Sequence, residues 1–182
     1  MGLKQAGYND YVFINCPFDD DYMPILHAIA YTIYRCGFVP QCALNEDDAT
    51  DYRLDKIIRC IQRCRYGIHD ISRTETNTNG LPRFNMPYEL GLFWGAKRFG
   101  TGIQKKKNAL ILERTKYLYQ QYLSDLNGVD VKEHNNHPDI VIRKVRDWLA
   151  VASNRRNVPG NAVIQREYQE FRQKLPAIVD TL

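Results

Sequence analysis

Short apolar runs alternate along this chain with longer segments of helical periodicity, the pattern of an α/β protein with a parallel sheet. Tyr11–Asn15 (YVFIN) is a run of β-formers closed by Pro17 and predicts a buried first strand. Met23–Cys36 sets Ile25, Leu26, Ile29, Ile33 and Cys36 along one side. Pro24 stands in its first turn and Gly37 just past its end, the asymmetry expected of a helix. Phe38–Leu44 predicts a second strand. A helix capped by Thr50 or Asp51 then carries Leu54, Ile57, Ile58, Ile61 and Cys64 as an apolar stripe. Tyr66–Ile71 predicts a third strand, followed by a polar loop from Ser72 to Phe84. Asn85 is expected to cap a helix, MPYELGLFWGAK, that is apolar nearly all round and so deeply buried.

Ala109–Leu112 predicts a fourth strand, Lys116–Leu126 a Tyr-rich helix, and Val129–Val131 a short edge strand. Pro138–Ala152 repeats Val141, Val145, Trp148 and Ala152 on one helical face. Residues 154–160 read as a linker. Asn161 opens a last helix with Ile164, Tyr168, Phe171 and Leu175, stopped by Pro176. One domain over residues 8–153 follows, with 154–182 as a linker and a helix docked on it.

The chain has 182 residues, enough for one domain that buries a core without disulfide or metal staples. No apolar run approaches the roughly 20 residues that span a bilayer, and the start shows no apolar signal segment. The expectation is a cytoplasmic protein with no membrane partner. Five cysteines, an odd number, lack the spacing of a zinc framework and read as reduced, buried thiols. The net charge of +4 is unevenly spread. Acidic clusters stand at Asp19–Asp21 and Glu46–Asp48, with Asp51. Basic residues gather between Lys97 and Lys116.

Ligands of an open parallel sheet bind outside the carboxyl ends of its strands. The loops there begin at Cys16, Asn45, Ser72 and Arg114. The basic stretch Arg98–Lys107 joins a helix end to a strand start, on the opposite edge, so nucleic acid is not the expected partner. Glu89 is the most unusual residue: a carboxylate among Tyr88, Leu90, Leu92, Phe93 and Trp94. Burial raises its pKa and a helix N-terminus lowers it, and the expectation is a group ionised near neutrality. An ionised carboxylate there suits a nucleophile or a stabiliser of developing positive charge. The alternative is a Glu that accepts backbone N–H bonds at its own helix start. Asp70 can fix a ribose hydroxyl or cap its loop through Ser72 and Arg73. His69 reads as structural. Asp19, Asp20 and Asp21 read as helix capping rather than a divalent cation site, and no metal is expected. Arg53, Arg73 and Arg83 flank the cleft and can neutralise phosphates.

The opening VFINCPFDDDY resembles the first strand and loop of Toll/interleukin-1 receptor (TIR)-type domains. HDISR followed by PRFNMPYELGLFWGAK resembles the third strand and catalytic helix of the related nucleoside 2-deoxyribosyltransferases. The resemblance runs over roughly Tyr11–Leu112. It implies a flavodoxin-like three-layer fold, with a parallel sheet of four to five strands and C-terminal helices beyond it. It also implies that Glu89, within Tyr88-Glu89-Leu90-Gly91, is catalytic. Both families cleave an N-glycosidic bond. TIR-type enzymes release nicotinamide from NAD, and the transferases exchange bases on deoxyribose.

NAD is then a substrate rather than a cofactor. Its binding residues would be Cys16, Pro17, Phe18, Asp19, Asp70, Ser72, Arg73, Arg83 and Asn85. The ribose would lie over Phe18, Asn85 and Asp70 would orient its hydroxyls, and Arg73 or Arg83 would face the diphosphate. Three readings stay open. One is an NAD glycohydrolase or cyclase in bacterial antiphage defence signalling. The second is a deoxyribosyltransferase-like N-glycosidase, and the third a non-catalytic TIR-like signalling module. The resemblance further implies activation by self-association or a partner protein. Tyr117, Tyr119 and Tyr122 offer either a contact surface or core packing.

Overall fold

The computed structural model describes residues 6–43, 48, 50–73 and 83–179. Its elements, in chain order, are β1 (Tyr11–Asn15), α1 (Met23–Arg35), β2 (Val39–Gln41), α2 (Arg53–Arg63), β3 (Tyr66–Asp70), α3 (Asn85–Phe99), β4 (Asn108–Glu113), β5 (Lys132–Glu133), α4 (Pro138–Ser153) and α5 (Asn161–Val179). All five strands are parallel, in the order β2-β1-β3-β4-β5. That is the flavodoxin-like order.

Strand parity sorts the side chains between two helical layers. Val12, Ile14, Tyr66, Ile68, Leu110 and Leu112 join the core with α1 and α4. Phe13 packs instead with Ile57, Cys60 and Ile61 of α2 and Phe93 of α3. α5 lies on the first layer, where Ile164 and Tyr168 are buried. Tyr31 of α1 stacks on Phe171, ring centroids 5.1 Å apart, and Arg35 holds Glu167 through two hydrogen bonds of 2.7 and 3.0 Å.

Several expectations change. α3 is not buried all round: Met86, Glu89, Leu90 and Phe93 face inward, while Tyr88 is 55% and Phe99 90% exposed. Its first helical residue is Asn85 itself, so Asn85 does not cap it. α2 begins at Arg53 after Tyr52, with no side-chain cap. Thr50 bonds Asp48 and Asp51 pairs with Arg59. Lys116–Leu126 is not one helix. Tyr117 takes the left-handed φ of 66°, which breaks a helix, and the segment forms 3-10 turns at Leu118–Gln121 and Ser124–Leu126. The Glu113 carboxylate accepts the Tyr119 N–H and draws the first turn back onto β4.

The edge strand falls at Lys132–Glu133. Val129 and Val131 pack against Ile71, Leu90, Ile111 and Tyr119 instead. α5 continues through Pro176, whose missing N–H costs one hydrogen bond at an exposed helix end. The far end of the expected second strand, at Leu44, lies outside the described residues. So do Glu46, Asp47 and most of the polar loop, residues 74–82. None of the five cysteines forms a disulfide. Among the described residues, no helix is long and apolar enough to cross a membrane.

Candidate functional site

Glu89 stands one turn into α3, on the face that meets the sheet, and is 8% exposed. Two buried residues seat this turn. Asn15, the last residue of β1, donates from Nδ2 to the Met86 carbonyl at 2.8 Å and to His69 Nδ1 at 3.0 Å. The carbonyl fixes the amide orientation, so His69 accepts at Nδ1 and carries its proton on Nε2. Burial, with Lys107 adding to it, pushes His69 down to about 3 and keeps it neutral. Gly67 makes room for this arrangement. A Cβ there would stand 2.6 Å from His69 Nε2 and 2.8 Å from the Phe93 ring.

Among the described residues, no side chain hydrogen-bonds the Glu89 carboxyl group. Burial pushes it up to about 7, against an opposing pull from Arg53. The expectation of a group ionised near neutrality is therefore corrected to one only partly ionised there: desolvation outweighs the pull of Arg53. Arg53 is exposed in the first turn of α2, whose N-cap residue Tyr52 makes no side-chain cap. The ends of α2 and α3 also expose Tyr52, Leu54, Phe84 and Tyr88. Asn85 is exposed and shares a helix face with Glu89, four residues on.

The structure divides the other expected site residues. Phe18 is half-buried against α1, and Arg83 is exposed. Arg73 is tied in an ion pair to Asp19, which explains why Asp19 caps nothing with its side chain and removes Arg73 as a free cation. Cys16 and Pro17 are buried beneath this rim. Burial raises the Cys16 thiol well above its ordinary value, with smaller contributions from Asp70, Cys42, Glu89 and Asp19, which suits packing and not nucleophilic chemistry.

Asp70 and Ser72 are placed elsewhere than at an open cleft. Parity turns Asp70 toward α1, on the opposite side of the sheet from α3, and both residues are buried. Asp70 accepts from Tyr22 Oη, from the Ser72 N–H at 2.9 Å and from Ser72 Oγ. His134 completes the cluster. Its Nδ1 accepts the Asn136 N–H at 3.1 Å, so Nε2 carries the proton toward Asp70, 2.9 Å away, and lies 3.1 Å from Ser72 Oγ. One imidazole nitrogen thus faces both serine and aspartate, whereas a nucleophilic triad uses the two ring nitrogens separately. The cluster ties β3, β5 and the start of α1 together. Nothing local in the sequence marks His134 as the partner of residues 62 and 64 positions earlier.

Among the described residues, no group of three or more His, Cys, Asp or Glu side chains could hold a metal ion. No protein-family model matches this chain, and no curated protein matches it.

Proposed function

We propose that this chain is an N-glycosidase that cleaves the nicotinamide–ribose bond of NAD. The observation that carries the reading is Glu89: a buried carboxyl group without a hydrogen-bond partner among the described residues, at the ligand-binding edge of a doubly wound sheet. The resemblance of its helix to N-glycosidic enzymes supports the same residue.

In the reaction the C1′–N bond breaks and its electron pair passes to the pyridinium nitrogen. Nicotinamide leaves neutral, so no general acid is required. The ribosyl group is left as an oxocarbenium-like cation. The Glu89 carboxylate faces that charge in a partly dehydrated setting, where the attraction is stronger than in water. Water then adds its oxygen to C1′ and gives its proton to Glu89 or to solvent. Asn85, on the same helix face, suits the ribose hydroxyls. Arg53 suits the diphosphate in place of Arg73, which Asp19 occupies. The positive nicotinamide ring itself favours the ionised form of Glu89.

The raised Glu89 also favours a second reading. A nucleoside base leaves as an anion unless it is protonated, and a carboxyl group near 7 can protonate it. The two readings differ in their pH limbs. The experiment is nicotinamide release from NAD by dilute and concentrated protein between pH 6 and 8, with Glu89→Gln alongside. NAD cleavage is expected to have kcat/KM rising through about pH 7, and a loss of roughly 100-fold in the variant. A rise in specific activity with protein concentration would add self-association to the reading. Nucleoside hydrolysis that falls above pH 7 would select the second reading. Unchanged turnover in Glu89→Gln removes Glu89 from either chemistry, and absence of turnover on both substrates leaves a binding module.

A further inference from the structure

Strand parity turns Ala109 and Ile111 of β4 toward the α3 side of the sheet. In a doubly wound fold the connection from β4 to β5 normally carries a helix that covers this side. Here it carries 3-10 turns at Leu118–Gln121 and Ser124–Leu126. They cover the far half of the strand, where Tyr119, Leu123 and Leu126 pack with Ile111, and leave Ala109 exposed. The result is a cleft of about 600 Å³ between α3 and β4, within the size range of small-molecule sites.

One wall is a stripe of α3 at helical spacing: Leu90, Phe93, Trp94, Lys97 and Arg98. The stripe is apolar and aromatic at one end and cationic at the other. Lys105, from the 3-10 turn Gly102–Lys106, adds a third cation to the lining, which among the described residues contains no carboxylate. Among the described residues none of these three cations makes an ion pair. The cationic end of the stripe is the end of α3 away from Glu89, and nothing in this site depends on the chemistry assigned to Glu89.

We infer that this cleft binds a small organic anion with a flat aromatic body and a phosphate group. The body would lie on Ala109 beside the Trp94 indole, and the phosphate among Lys97, Arg98 and Lys105. Both halves are needed: the floor recognises apolar area without direction, and the cations add orientation and charge.

The test is isothermal titration calorimetry of the full chain with 1-naphthyl phosphate, 1-naphthol and inorganic phosphate as probes. Two variants accompany it: Lys97→Gln/Arg98→Gln/Lys105→Gln, which changes only exposed side chains, and Ala109→Leu, which fills the exposed floor. Circular dichroism melts establish that each is folded. Saturable binding of naphthyl phosphate is expected. It should weaken roughly tenfold or more in each variant and in high salt, with naphthol and inorganic phosphate each weaker by a similar factor. Absence of saturable binding overturns the inference. So does equal affinity for naphthol, equal affinity for inorganic phosphate, or unchanged binding in the triple variant.

Discussion

Glu89 is held as a carboxyl group in a place that disfavours its charge, and the cost is readable as pH dependence. Its pKa in the folded chain is about 7, against an ordinary 4.5. Between those values the folded chain keeps a proton that the unfolded chain has released. Stability therefore falls as pH rises from about 4.5 to about 7, and the loss is complete above that window. Glu89→Gln removes the titration. The variant should melt with the parent near pH 4.5 and several degrees above it at pH 8, a difference of roughly 1–3 kcal/mol. Coincident melts at both values would show that the carboxyl group is well solvated. The choice of Glu89 was legible in the sequence, because a carboxylate among aromatic and apolar neighbours is conspicuous. Its protonation was not. The balance between desolvation and the pull of Arg53 depends on how deeply α3 sinks into the sheet.

At the scale of the element, α3 is seated by what β1 and β3 place beneath it. Asn15 holds its first turn through the Met86 carbonyl, and Gly67 lets His69 and Phe93 approach the sheet. Gly67→Ala should force those rings apart and destabilise the fold by about 1–3 kcal/mol, measured by urea unfolding. A change below about 0.5 kcal/mol, the scale of a neutral surface substitution, would mean that the layer yields without resistance. The same element shows where pattern reading stops. Its near-continuous apolar sequence predicts burial on every side, yet the β4–β5 connection leaves part of its flank open. Whether Trp94 is covered depends on a segment some twenty to thirty residues further on, whose helix is broken at Tyr117.

At the scale of the molecule, α5 closes the α1–α4 layer. Tyr168 is 2% exposed and donates its hydroxyl to the Pro24 carbonyl at 2.9 Å, and its ring meets Tyr31 at 5.5 Å. Tyr168→Ala should cost about 3–5 kcal/mol, the range of a buried aromatic lost to a cavity. Chemical denaturation followed by circular dichroism would then show one transition at lower denaturant. A loss under about 1 kcal/mol, the scale of many surface changes, would mean that α5 is an appendage outside the cooperative unit.

The sequence by itself determined the α/β class, the first strand, the limits of α1 and α4 to within a residue, and the prominence of Glu89. These follow from local signals: apolar periodicity, Pro in a first turn, Gly after a last one. The tertiary structure decided what depends on contacts between distant segments. Strand parity at Asp70, joined to His134 from far along the chain, placed a ribose-binding candidate in a buried hydrogen-bonded cluster. The Asp19–Arg73 pair, 54 residues apart, withdrew one candidate for the diphosphate. The short turns that replace a helix beside β4 opened a cleft that no run of the sequence announces. A side chain's neighbours across the sheet set its charge, its exposure and its partners, and periodicity along the chain does not encode them.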